Sequence, residues 1–98
     1  MAQLRIRHTV QDYEAWRRTF DSDPLDRKGS GVLRYQVLRS TDLPNDVMID
    51  REFATVAQAR VMLDRLKELW TSPRSPALAG VVVVIVDTVD EADLVTGS

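Results

Sequence analysis

The alternation of hydrophobic and polar residues along the chain predicts four strands and two helices in the order βαββαβ. Strand-like runs carry apolar side chains at every second position, and the helical segments carry them three and four positions apart. This order has one common compact arrangement, a four-stranded antiparallel sheet with both helices on one face. We therefore predict a ferredoxin-like α+β fold. The predicted elements are strand Gln3–Thr9, helix Gln11–Asp21, strands Val32–Arg39 and Val47–Ala54, helix Val56–Trp70 and strand Val81–Val86.

The second helix has the clearest local pattern. Thr55 and Gln58 have the spacing of a capping box, in which each side chain binds a backbone N–H at the start of the helix. Pro73 follows the helix and is expected to end it, because proline cannot donate the backbone hydrogen bond. The apolar stripe at helical spacing consists of Val56, Ala59, Leu63, Leu66 and Trp70.

The first helix carries an aromatic stripe. Thr9 and Asp12 precede it at capping spacing, and Pro24 indicates a break after it. A second short helical turn is predicted between Leu25 and Lys28. The residues predicted to share one side of the first helix are Val10, Tyr13, Trp16, Arg17 and Phe20.

Alternation along the strands also separates the two faces of the sheet. The usual strand order for this topology places the first and third strands side by side, so opposite charges on them are expected to pair across the strands. The face predicted to be covered by helices carries Leu4, Ile6, His8, Leu33, Tyr35, Val37, Val47, Ile49, Arg51 and Phe53. The opposite face carries Arg5 and Arg7, which are expected to pair with Asp50 and Glu52, together with Arg34 and Gln36.

The last strand, Val81–Val86, is apolar on both sides. A sheet with one solvated face would show polar residues on that side, so a second layer is expected to cover this strand. A partner subunit is the simplest such layer. We therefore predict a homodimer.

Composition limits the classes of function. The 98 residues form one domain, 1–98, whose end at 91–98 is expected to be frayed. A net charge of −2 argues against nucleic-acid binding. The chain has no cysteine and one histidine, which excludes thiolate catalysis and multi-histidine metal or haem sites within one chain. We expect no metal, no cofactor and no membrane association. The start of the chain lacks the apolar segment of a signal peptide, so a cytoplasmic protein is expected.

The chain resembles the dimeric α+β barrel superfamily, which includes antibiotic-biosynthesis monooxygenase-like proteins and small polyketide cyclases. The resemblance covers about residues 3 to 90. It rests on the element order, on the segment Val10–Trp16 that opens the first helix, and on Asp50–Phe53 before the capped second helix. It implies a homodimer whose sheets pack face to face, and a pocket in each subunit between sheet and helices.

The resemblance transfers no catalytic residue. The haem-degrading branch of the superfamily uses a histidine on the second helix, and Val56–Trp70 contains none. The cofactor-free oxygenase branch uses an asparagine with aromatic partners, whereas the one asparagine here, Asn45, falls in a predicted turn.

Polar residues fall on the apolar face at three positions, His8, Tyr35 and Arg51. His8 is the candidate general acid or base, since its ordinary pKa lies near neutrality. The alternative is a histidine that binds a backbone carbonyl or lies half in solvent. Arg51 interrupts an apolar series and either holds an anionic or enolate oxygen in the pocket or extends from an exposed strand end to water.

Four aromatic residues are candidate ligand contacts. Tyr13, Trp16, Tyr35 and Trp70 could line a cavity for a flat aromatic molecule, or belong to an ordinary core. Tyr35 is the stronger candidate, because a buried hydroxyl requires a hydrogen-bond partner.

Two hypotheses of function follow. In the first, the protein is a cofactor-independent monooxygenase or cyclase that acts on a polycyclic or polyketide-like molecule, with His8 as acid or base and Tyr35 and Arg51 orienting oxygens. In the second, it is a non-catalytic ligand-binding or stress-associated homodimer of the same fold with no open pocket.

Overall fold

The structure is a computed structural model that describes residues 1–73 and 78–95, and it confirms the predicted βαββαβ order. Within these residues, the strands form an antiparallel sheet in the order β2-β3-β1-β4. The first and third strands are therefore central neighbours, as predicted. The elements are β1 (Ala2–Val10), α1 (Tyr13–Asp21), β2 (Arg34–Arg39), β3 (Asp46–Phe53), α2 (Val56–Trp70) and β4 (Leu78–Asp87).

Strand β1 lies at the centre of the sheet and shows the predicted two-residue alternation. Ala2, Leu4, Ile6, His8 and Val10 are buried on the helix side. The same side of β3 buries four residues, so the two central strands provide most of the sheet's contribution to the core. These residues are Val47, Ile49, Arg51 and Phe53.

Helix α2 has the predicted bounds, and its capping box forms. The Thr55 hydroxyl accepts from the Gln58 backbone N–H, and the Gln58 side chain accepts from the Thr55 backbone N–H. The buried face differs by one position from the predicted stripe. Met62 is buried, whereas Leu63 is only half-buried.

Helix α1 begins at Tyr13, two residues later than predicted. Asp12 is its N-cap, and the carboxylate accepts from the backbone N–H groups of Glu14 and Ala15. Trp16 and Phe20 are the buried residues of this helix.

The short helix predicted at 25–28 is wrong, because this segment forms turns. Asp23 and Asp26 adopt positive φ angles of 55° and 49°, which interrupt helical geometry. Asp tolerates this conformation, and the Asp23 carboxylate accepts from the Arg27 backbone N–H.

Strand β2 begins later and is more exposed than predicted. The Val32 backbone N–H donates to the Arg27 carbonyl, and Val32 is buried in the core. Its neighbour Leu33 is 55% exposed, so the prediction that Leu33 is covered is wrong. The cause is the entry loop: Gly31 at φ 93° turns the chain so that Val32, and not Leu33, enters the core.

The charges on the outer face of the sheet pair according to strand register. Arg5 lies opposite Asp50, and their side chains approach to 3.5 Å, as predicted. Arg7 lies opposite Met48 and instead pairs with Asp46 at 2.7 Å. Glu52 lies opposite Arg34 and pairs with it. The prediction that Arg7 pairs with Asp50 or Glu52 is therefore wrong. The closest carboxylate, that of Asp46, lies diagonally across from Arg7 on β3.

Strand β4 is longer than predicted, and its outer face is uncovered. Val82 and Val84 are exposed there, beside the paired charges of β1. Residues 91–95 are exposed and lie outside helices and strands, and 96–98 lie outside the described residues. No helix within the described ranges is long and apolar enough to cross a membrane.

Candidate functional site

A cavity of about 60 Å³ lies between the helix-covered face of the sheet and the helices. β1 and β3 provide one wall, α1 and α2 provide the opposite wall, and the loop after α1 closes one side. Its polar or charged lining residues, among those that the structure describes, are His8, Thr19, Asp23, Arg27 and Arg51. Apolar side chains form the remainder, including Ile6, Trp16, Phe20, Ile49, Met62, Leu66 and Trp70.

His8 lies on β1 and faces the cavity, as its position in the alternation predicts. It is 3% exposed, and its ring makes an edge contact with Trp16 at 5.6 Å between centroids. The Nδ1 atom is buried and has no hydrogen-bond partner among the described residues. The alternative of a half-solvated ring therefore does not describe it, and its Nδ1 atom binds no backbone carbonyl among the described residues.

The environment of His8 favours the neutral imidazole. Burial removes water from the charged form, and the positive charge of Arg51 adds to this effect, so the pKa falls to about 4. Asp46 acts in the opposite direction and only partly offsets it. At neutral pH, His8 is thus an uncharged group with an unused ring nitrogen in the cavity.

Arg51 lies on β3 and is 7% exposed, so it is a cavity residue and not an exposed strand end. Its Nε and Nη1 atoms are buried, and no acceptor among the described residues binds them. Burial, followed by the charge of Arg27, lowers the pKa of Arg51 to about 10. The guanidinium therefore remains charged at neutral pH. Its described electrostatic contact is with the face of Phe20, at 5.7 Å from the ring centroid.

Arg27 is a cavity residue that the sequence pattern did not indicate. Its guanidinium lies 4.2 Å from the Phe20 ring centroid and 4.8 Å from that of Tyr35, and Nη1 donates to the Phe20 carbonyl at 2.7 Å. Asp23 lies 3.5 Å from Nε. The sequence signal that precedes it, Asp23 followed by Pro24, is typical of any loop, so only the fold brings Arg27 to the cavity.

The structure divides the four aromatic candidates into two pairs. Trp16 and Trp70 line the cavity. Tyr35 and Tyr13 do not belong to its described lining. Tyr35 is 41% exposed and contacts Phe20 edge-on, and Tyr13 packs beside Trp16 and beneath the guanidinium of Arg39. The argument that a buried Tyr35 needs a hydroxyl partner does not apply, because the residue is exposed.

The groups that line the cavity can act as a proton acceptor and as an anion-binding site. An apolar enclosure holds a neutral imidazole, which can accept a proton, and a guanidinium, which can hold an anionic oxygen. Both groups have unused hydrogen-bonding capacity among the described residues. Over the same part of the chain, no cluster of three or more His, Asp or Glu side chains is arranged to hold a metal ion.

We predict that His8 makes folding stability pH-dependent. Its folded pKa of about 4 lies below the ordinary 6.5, so protons bind preferentially to the unfolded chain. The stability is fully present above pH 6.5 and is lost as the pH falls toward 4. Between pH 7 and pH 5 this loss amounts to about 2 kcal/mol.

Urea unfolding of the wild type and of His8→Asn at both pH values measures this effect. We expect the wild type to lose about 2 kcal/mol more than the variant. Equal losses in the two proteins would show that His8 titrates normally and is not held neutral in the folded state.

Comparison with models of protein families and with curated protein sequences yields no match. Comparison with solved structures identifies similar folds. The structure of a "putative antibiotic biosynthesis monooxygenase" from Deinococcus radiodurans has a TM-score of 0.61 and 10% identity, over 96% of this chain and 98% of that one.

A second similar structure is that of Rv0793 from Mycobacterium tuberculosis, with a TM-score of 0.56 and 16% identity, over 95% of this chain and 100% of that one. Both similarities extend over nearly the whole chain, and at these identities they establish the architecture. The chain therefore has the βαββαβ fold of these two structures, which agrees with the fold of one subunit that the sequence resemblance implied.

Proposed function

We propose that this protein is a cofactor-independent enzyme, a monooxygenase or a cyclase, that acts on a hydrophobic small molecule in the cavity between sheet and helices. The observation that carries the proposal is the presence of two buried polar groups, His8 and Arg51, that face one cavity with unused hydrogen-bonding atoms. Folded proteins rarely leave such groups unsatisfied without a functional reason. The fold shared with an antibiotic biosynthesis monooxygenase-like structure supports the same class of activity.

The chain's own residues suggest how either reaction would proceed. His8 accepts a proton from an acidic C–H or O–H group of the substrate. Arg51 holds an anionic oxygen and fixes the orientation of the substrate, and the positive charges of Arg51 and Arg27 stabilise the negative charge that develops.

Each reaction balances without a metal or organic cofactor. In the cyclase reaction the resulting carbanion forms a C–C bond to a carbonyl carbon of the same molecule, and His8 returns the proton to the new alkoxide. In the monooxygenase reaction molecular oxygen converts a CH₂ group to a carbonyl: one oxygen atom enters the product, the other leaves as water, and the substrate supplies the electrons.

The proposal is tested with a panel of phenols and β-dicarbonyl compounds, following oxygen uptake for the monooxygenase and product mass for the cyclase. For a compound that is turned over, we expect His8→Asn to lower kcat by about 10²-fold or more, as loss of a general base does. The exposed Gln11→Ala serves as the control and should retain activity. Full activity of His8→Asn would remove His8 from the mechanism.

One observation favours the second candidate, a non-catalytic ligand-binding protein. A pKa of about 4 makes His8 a weak base, which suits recognition of a ligand better than removal of a proton from a poor acid. Saturable binding without turnover across the panel would support this candidate and contradict the enzyme. The sequence-based form of this second hypothesis had no open pocket, and the cavity beside His8 and Arg51 does not agree with that part of it.

We further propose that the protein is a homodimer in which the outer faces of two sheets pack together. Val82, Val84, Met48 and Leu38 are exposed on this face, interspersed with the ion pairs of Arg5 and Arg7. A second copy of the same face would cover the apolar residues of both subunits and supply charges of both signs, which suits a two-fold symmetric contact.

A further inference from the structure

The positive and negative charges of the residues that line the cavity do not sum to zero. The described lining contains two cations, Arg27 and Arg51, and one anion, Asp23, while His8 is neutral. Asp23 contacts Arg27, with which it forms an ion pair at 3.5 Å. The cavity therefore carries one net positive charge, and this charge belongs to Arg51.

The unpaired state of Arg51 is costly. A buried guanidinium loses its hydration, and a carboxylate normally offsets this loss with charge-assisted hydrogen bonds. Here the face of Phe20 lies 5.7 Å away, and Nε and Nη1 lack acceptors among the described residues. A cation–π contact at this distance compensates for only part of the loss of hydration. A ligand that brings its own negative charge into the cavity would supply the missing partner.

The size and walls of the cavity limit the rest of such a ligand. A volume of about 60 Å³ is less than half of the about 150 Å³ of an apolar cavity that binds benzene. The cavity is therefore too small for the polycyclic substrate expected from the sequence, and a one-ring molecule enters only if lining side chains move. Trp16, Phe20 and Trp70 provide flat apolar walls on which a ring can pack.

We propose that the cavity binds a small monocyclic aromatic carboxylate, whose carboxylate accepts hydrogen bonds from Arg51 and whose ring packs against Trp16 and Phe20. This inference rests on the proposed function, since it names the class of molecule that the same cavity takes. A single net positive charge matches a monoanion and leaves a phosphate dianion uncompensated. A carboxylate is already an anion when it binds, so it offsets the charge of Arg51 throughout the bound state. An enolate would offset this charge only during the reaction.

The test is a calorimetric titration of the intact protein with benzoate and with its neutral isostere benzamide. The variants are Arg51→Met, which removes the charge, Arg51→Lys, which keeps it, and Arg60→Met, a control on the exposed surface of α2. We expect the wild type and Arg60→Met to bind benzoate at least about tenfold more tightly than benzamide. Arg51→Met should lose this preference, and Arg51→Lys should retain part of it.

The outcomes separate the inference from the proposed function. Equal affinity of the wild type for benzoate and benzamide would overturn the carboxylate inference and leave the cavity of the proposed function intact. A benzoate preference that persists in Arg51→Met would also overturn the inference, because another cation would then be responsible. Binding of neither compound would overturn both the inference and the small-molecule site.

Discussion

Replacing Arg51 with methionine is expected to raise the free energy of unfolding by about 1–3 kcal/mol. Arg51 is 7% exposed and has no carboxylate partner among the described residues, so the folded state bears much of the desolvation cost of its charge. Methionine fills a similar elongated volume and needs no hydrogen bonds. Most substitutions of buried residues destabilise a protein, so a gain in stability would be a specific sign of a residue retained for ligand binding.

Urea denaturation at pH 7 in the absence of ligand measures the effect, with Arg60→Met as the matched control. Arg60 is exposed on α2, and the same change there should alter stability by less than about 0.5 kcal/mol. If Arg51→Met instead lowers the free energy of unfolding by more than about 1 kcal/mol, the packing of the aliphatic part of Arg51 stabilises the fold by more than its buried charge destabilises it.

Replacing Val84 with aspartate is expected to convert the proposed dimer into a monomer. Val84 lies on the outer face of β4, opposite Arg5 in the register, and is 47% exposed in the single chain. A two-fold contact buries the substituted side chain twice, and each desolvated carboxylate costs more than the about 1–3 kcal/mol of a buried neutral polar group. The dissociation constant should therefore rise by about 10²-fold or more.

Size-exclusion chromatography with light scattering at low micromolar concentration measures this change. Val61→Asp introduces the same substitution on an exposed position of α2, away from the outer sheet face, and should remain dimeric. A wild-type protein that is monomeric at this concentration would contradict the dimer proposal directly.

The fold could be predicted because local and long-range signals agree. The alternation in β1 and the capping box of α2 each determine one element, and the element order leaves one common sheet topology. Helix α1 was predicted to begin too early because Gln11 tolerates helix geometry, whereas Asp12 is the N-cap and its carboxylate starts the helix at Tyr13 by accepting from the Glu14 and Ala15 N–H groups.

The candidate site was less predictable. Alternation placed His8 and Arg51 on the correct face, but whether Arg51 is buried depends on how the helices and the loop after α1 cover the strand end. The same loop brings Arg27 beside Phe20 and Tyr35 through two positive φ angles, which sequence periodicity does not encode. Tyr35 lies outside the described lining of the cavity and instead contacts Arg27 and Phe20, which do line it.

The most direct test of the central claim, that His8 and Arg51 form a small-molecule site, uses the chain's single histidine. The Hε1 proton of the His8 ring gives one NMR signal, which is followed against pH with and without benzoate. We predict a midpoint near pH 4 in the free protein and a saturable shift on adding benzoate, with a higher pKa because an anion favours imidazolium. A midpoint near 6.5 and a signal unaffected by benzoate would contradict the account.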